Sequence, residues 1–135
     1  MLKSFDAPAR EECATERPSS NTPLQALNLL NDPTFTEAAR VIAARLLSEP
    51  EGAEDLVRRA WMLCLSRPPN GEESQILGEF HAEELQRFTE SPDDALKFLS
   101  IGEAAAPKDL PPVQLAAAAS LARAILNLHE TITRY

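Results

Sequence analysis

The stretch Arg17–Pro33 constrains the fold more than any other, because it holds two helix starts in quick succession. Thr22, Pro23 and Gln25 stand in the order of an N-cap, a first helical residue and a third. The Thr22 hydroxyl is placed to accept from the Gln25 amide, and the Gln25 side chain to reach back to the cap. Asp32 and Pro33 repeat the device, and Leu24, Leu27 and Leu30 share one helical face between the two starts. No reactive group lies in the stretch, so it speaks for structure and not for chemistry.

The same punctuation continues along the chain. A short helix is predicted over 23–30 and a longer one over 33–48, with a stripe of Phe35, Ala38, Ala39, Ile42, Ala43, Leu46 and Leu47. Pro50-Glu51-Gly52 breaks it. A third helix over 53–66 groups Leu56, Val57, Ala60, Trp61, Cys64 and Leu65, with Glu54 and Asp55 in its first turn and Arg67 past its end, as the helix dipole prefers. After the rigid turn Arg67-Pro68-Pro69, Asn70 and Glu73 form a second capping box. The helix it opens reaches Thr89 through Ile76, Leu77, Phe80, Leu85 and Phe88. Ser91-Pro92 starts a helix that buries Ala95, Leu96, Phe98 and Leu99, with Gly102 as its C′ residue. Residues 103–112 are a proline-rich linker. A last helix over 113–131 carries the stripe Leu115, Ala118, Ala119, Ala122, Ile125, Leu126, His129 and Ile132. Its many alanines let a neighbouring helix approach closely. Residues 1–20 read as an extended polar arm and 21–135 as one helical domain. The prediction is an all-α single bundle of about five to six helices behind an extended N-terminal arm.

Composition fits that architecture and excludes several functions. Apolar residues make up 44% and aromatics 5%, so the core is built from Leu, Ala, Ile and Val. The net charge is -8 with lysines and arginines scattered, which argues against nucleic acid and against docking on an anionic membrane. No apolar run reaches the roughly 18 residues that a spanning helix needs, so no membrane insertion is expected. Residues 1–6 have no apolar core, so no secretory signal is expected in this chain.

Reactive side chains are few. Cys13 and Cys64 form no CxxC, zinc or haem-attachment pattern, so no metal or cofactor is expected in this chain. Cys64 reads as a buried structural thiol, and Cys13 as free or bridged. His81 lies where Glu84 can pair with it. His129 shares the stripe of Ile125 and Ile132, so it is expected to be partly buried. There it bonds a carbonyl or carboxylate, or it faces a pocket with Asn127 and Glu130 beside it. The adjacent acidic pairs Glu11–Glu12, Glu72–Glu73 and Glu83–Glu84 point about 100° apart on a helix, which suits a solvated face and not a pair of catalytic carboxylates.

Four separated motifs carry a family resemblance: Arg17 with Ser20-Asn21-Thr22-Pro23-Leu24-Gln25-Ala26-Leu27, Leu30-Asn31-Asp32-Pro33, Ser66-Arg67-Pro68-Pro69 with Glu72-Glu73, and Leu126-Asn127-Leu128-His129-Glu130-Thr131-Ile132-Thr133. The lead-in Phe5-Asp6-Ala7-Pro8-Ala9-Arg10-Glu11 fits as well. Together they resemble the C-terminal part of the planctomycete PSD-one domain, a family of unknown function. The resemblance implies a larger exported or periplasmic protein, in which a cytochrome c-like domain often lies upstream and any haem belongs to that domain. The absence of a signal in this chain leaves a cytoplasmic location open. The partner implied is the upstream domain of the same parent protein, or a second copy. The family pattern has an acidic residue where this sequence has His129, which weakens any pairing there with Arg17 or Arg123.

The leading expectation is a structural or interaction module with an apolar face left open around Leu24, Leu27 and the Ala-rich last helix. The alternative is a segment of an exported enzyme acting on polysaccharide or a related substrate. Its cleft residues would be His129, Asn127, Arg17 and Asn21. Arg17 is the residue of the opening stretch with no local structural reason, and its reach toward His129 is the feature to look for.

Overall fold

In the computed structural model, which describes residues 27–28, 30–49 and 56–132, Asp32 and Asn70 bond the amides that they were placed to satisfy. Asp32 Oδ1 accepts from the Thr34 amide at 2.8 Å, and Pro33 opens α1 (Pro33–Ser48). α2 covers Leu56–Leu65. Asn70 opens α3 (Gly71–Glu90) by a reciprocal pair: the Glu73 amide donates to Asn70 Oδ1 at 2.8 Å, and the Asn70 amide to Glu73 Oε2 at 2.7 Å. Pro92 begins α4 (Pro92–Leu99), where the Ser91 side chain makes no cap bond. α5 (Pro112–Leu126) and the one-turn α6 (His129–Ile132) complete the order. Every described element is helical, as an all-α bundle requires. Residues 27–28 and 30–31 are helical too, and Asn31 Nδ2 donates to the Leu27 carbonyl at 3.0 Å. The expected Thr22–Gln25 box, the arm over 1–20 and the break at Pro50–Gly52 lie outside the described residues.

α5 is the axis of the bundle. A single stripe was expected along it. Instead Leu115 through Ala122 are all buried, Ala116, Ala117, Ser120 and Leu121 included. A helix apolar all round belongs in the middle, and α1, α2, α3 and α4 all pack against α5, α1 most extensively. The Ala-rich helix is therefore no open face: alanine side chains are short enough for neighbours to close over every side. Of the face expected to stay open, Leu24 lies outside the described residues and Leu27 is 54% exposed.

α1 also departs from its simple stripe. Ala39, Ala43 and Leu46 are buried as expected, but Ala38 is exposed, and Thr36 and Arg40 are buried. Arg40 is 3% exposed because a distant loop supplies acceptors. Its guanidinium donates to the carbonyls of Leu99 and Ala104, and to that of Ile101 at 3.1 Å. One turn earlier, the Glu37 carboxylate accepts from the amides of Glu103 at 2.7 Å and Ala104 at 3.3 Å. These two backbone bonds hold the Glu37 carboxyl below its ordinary pKa. A cation on the carbonyls and an anion on the amides thus fasten the segment after α4 to α1. Gly102 makes the approach feasible: its φ is 104°, and a β-carbon there would run into the Glu37 side chain.

Replacing Arg40 by an apolar residue of similar length strands three carbonyls. Arg40→Met should cost about 2–4 kcal/mol of stability, read as a lower urea midpoint at unchanged slope. A loss below about 0.5 kcal/mol, the scale of an ordinary surface change, would show that water replaces the cation freely.

Candidate functional site

The site grows from the end of α2. Ser66 closes that helix by donating its amide to the Met62 carbonyl at 2.9 Å, and it adopts a left-handed φ of 58°. This turn, followed by Pro68-Pro69, delivers Arg67 to the junction of three elements. Its Nε and Nη2 donate to Glu130 of α6 at 2.7 and 2.6 Å. Its Nη1 and Nη2 donate to Glu73 of α3 at 2.9 and 2.8 Å, and Nη1 also reaches the Pro68 carbonyl at 3.2 Å. The guanidinium lies over the Trp61 ring, 5.0 Å from its centroid. One planar fork thus ties α2, α3 and α6 together through two bidentate pairs.

The electrostatics follow from the geometry. Hydrogen bonds from Arg67, then from the Asn70 amide, hold Glu73 at a pKa of about 2, well below its ordinary 4.5. Glu130 is held down in the same way, by Arg67 first. The hydrogen bonds to Glu130 and Glu73 raise Arg67 further above its already high value.

α5 stops short of the expected end. The Asn127 amide donates to the Arg123 and Ala124 carbonyls at 3.1 and 3.2 Å, and the Leu128 amide to that of Ile125 at 3.1 Å. The chain then restarts at His129. This break turns His129 out of the Ile125 stripe, so it is exposed and not partly buried as expected. Beside it, between α3 and α6, runs a groove of about 420 Å³ lined by Trp61, Ile76, Leu77, Leu128, His129 and the two clamped carboxylates.

Of the four residues singled out for a cleft, His129 lines this groove and Asn127 does not. Asn127 is the C-cap of α5, half-buried, with its Oδ1 unpartnered among the described residues. Arg17 and Asn21 lie outside the described residues, and with them the expected reach of Arg17 toward His129. Arg123, the other partner considered for that position, sits over Phe98 at 5.0 Å. The cation that does bind this region is Arg67, which helical patterning left unassigned beyond the helix dipole. Its signal was present in the motifs: Arg67, Glu73 and Glu130 each belong to a segment that carried the resemblance.

His81 and Cys64 stand apart from this groove. Glu84 pairs with Arg87 at 2.9 Å rather than with His81. Burial alone pushes the His81 imidazole below its ordinary value. Cys64 is half-buried, and burial pushes its thiol up, so it stays protonated at neutral pH. Cys13 lies outside the described residues. Among the described residues no group of three or more His, Cys, Asp or Glu side chains is placed to hold a metal ion, and no helix is long and apolar enough to cross a membrane.

Residues 1–81 match the family described as PSD1, protein of unknown function (DUF1553). The match ends midway along α3, so Arg67 and Glu73 fall inside it and Glu130 beyond it. No curated protein and no solved structure matches the chain.

Two outcomes test the clamp. An unfolded glutamate takes up its proton near pH 4.5, whereas folded Glu73 does so only near 2. The stability this carboxylate provides is therefore complete above pH 4.5 and is lost as pH falls toward 2. Urea midpoints should fall through that window, and less steeply in Arg67→Met; equal slopes would contradict the clamp. Separately, Ser66→Gly relieves the left-handed backbone and should raise stability by about 0.5–1 kcal/mol, seen as a higher urea midpoint.

Proposed function

The chain belongs to the PSD1 family of proteins of unknown function, and on that premise we propose that it is a non-enzymatic helical interaction module. In this reading it packs on a preceding domain of a larger exported planctomycete protein. Where that parent carries a cytochrome c-like domain, the module helps to position it, and the haem resides there and not in this chain.

One observation carries the proposal: the charged cluster of Arg67, Glu73 and Glu130 is satisfied from within. Arg67 uses its guanidinium N–H groups on Glu73, Glu130 and the Pro68 carbonyl. A catalytic cation needs a donor left for substrate. The carboxylates speak the same way. Glycoside cleavage needs an acid whose pKa is raised toward neutrality, whereas Glu73 and Glu130 are both held below their ordinary value. What the site leaves to the solvent is an apolar groove, which suits docking better than turnover.

The test is to mix the purified chain with the separately produced preceding domain of its parent and follow association by sedimentation. A complex with a Kd of about 1–10 µM is expected, with no hydrolysis of polysaccharide by either part or by the complex. Hydrolysis that disappears in His129→Ala would establish the enzymatic reading instead. No association at about 100 µM of each part would also overturn the proposal.

A further inference from the structure

The groove between α3 and α6 has a chemistry specific enough to define its occupant. Ile76 is 57% exposed at its edge, on a helix that has no packing use for it there. Residues three and four apart are neighbours on a helix surface. For Ile76 these are Glu72, Glu73, Glu79 and the half-buried Phe80, and Glu72 and Glu79 are exposed. The apolar lining continues through Trp61, Leu77 and Leu128. The far wall carries Glu130, and Arg67 is shared between Glu73 and Glu130. Arg67, Glu73 and Glu130 together keep one net negative charge, and Glu72 and Glu79 add two more.

The shape selects the mode of binding. An extended peptide adds to the edge of a sheet, and the described residues contain no strand. A proline-rich peptide needs a row of open aromatic faces, and the aromatic in this groove, Trp61, is 4% exposed under Arg67. Two helical walls over an apolar floor instead fit a third helix, which would enter the bundle as one more layer.

We infer that this groove binds an amphipathic helix of a protein partner whose apolar face is flanked by lysine or arginine. The inference deepens the interaction reading given above and rests on it. The partner's apolar side chains lie against Ile76, Leu77 and Leu128, and its basic residues reach Glu72 and Glu79. The clamp serves this surface without touching the partner: by fixing Glu130 it holds Leu128 and His129 as a wall. The chain's net charge of -8 speeds the encounter with a basic partner.

The full chain can be titrated with a synthetic peptide carrying leucine at i, i+3, i+4 and i+7 and lysine beside them. Trp61 is the single tryptophan and lines the groove, so its emission reports binding directly. A control peptide replaces each lysine by glutamate. The lysine peptide should bind with a micromolar Kd, weaken about tenfold or more between about 20 and about 300 mM salt, and exceed the glutamate peptide by at least about tenfold. Ile76→Ser, at an exposed position where the melting temperature should hold, should weaken binding about tenfold. Glu72→Lys/Glu79→Lys should abolish the preference for lysine. Glu83→Lys/Glu90→Lys makes the same charge change about 10 Å or more from Ile76 along α3 and should leave most of the affinity intact.

Unchanged binding in Ile76→Ser would overturn the inference. So would an equal loss in the two charge-reversed pairs, which would mean attraction to overall charge alone. A complex with the parent's preceding domain that is indifferent to Ile76→Ser and Glu72→Lys/Glu79→Lys would overturn this groove as the site while leaving the module reading in place.

Discussion

The close burial of α5 is the constraint on which the rest of the structure depends. A helix with Ala116 to Ala119 and Ala122 at its centre offers little side-chain volume. Its neighbours must come close, and they must come from every direction, because no face of it is polar enough for water. Four helices are recruited to that task, and the surfaces they turn outward are what remains for function. Larger residues enter along α5 at Leu115, Leu121 and Ile125, and between the outer layers, where Phe88 meets Phe98 with ring centroids 5.8 Å apart.

Helices drawn onto one axis leave their connecting segments to be fastened separately, and among the described residues arginines do so: Arg59 at the end of α1, Arg40 and Arg67. Arg40 is buried and takes backbone carbonyls after α4; Arg67 is part-exposed and takes two carboxylates at the meeting of α2, α3 and α6. The difference in acceptor decides the consequence. Carbonyls carry no titratable proton, so acid reaches the Arg40 fastening only through its companion carboxylate Glu37. The Arg67 contact depends on Glu73 and Glu130 remaining ionised, so acid loosens the wall of the groove along with the fold.

Much of the fold was legible in the sequence, because its signals are local. The Asn70–Glu73 capping box acts within four residues, and both of its bonds are present. Asp32-Pro33 and Ser91-Pro92 likewise begin helices where expected. What escaped reading depends on distance. An arginine in an apolar stripe is buried only if acceptors arrive from elsewhere, and those of Arg40 lie 59 to 64 residues away. The stripe along α5 could not reveal that all its faces are covered, since alanine serves a half-buried helix and a central one equally well. His129 was misplaced because the break after Leu126 has no glycine or proline to announce it. The partner that holds the restarted helix, Arg67, is 63 residues from Glu130. The site was legible only as scattered motifs, and the fold brings three of their charged residues to one point.

Hydrogen exchange on the chain, alone and with the lysine-flanked amphipathic peptide bound, tests the central claim most directly. The account predicts that new protection concentrates at residues 71–80 and 128–132, the two walls of the groove, with the amides of α1 unchanged. Protection that falls instead on the exposed side of α1 and α2, around Val41, Met62 and Leu63, would contradict it.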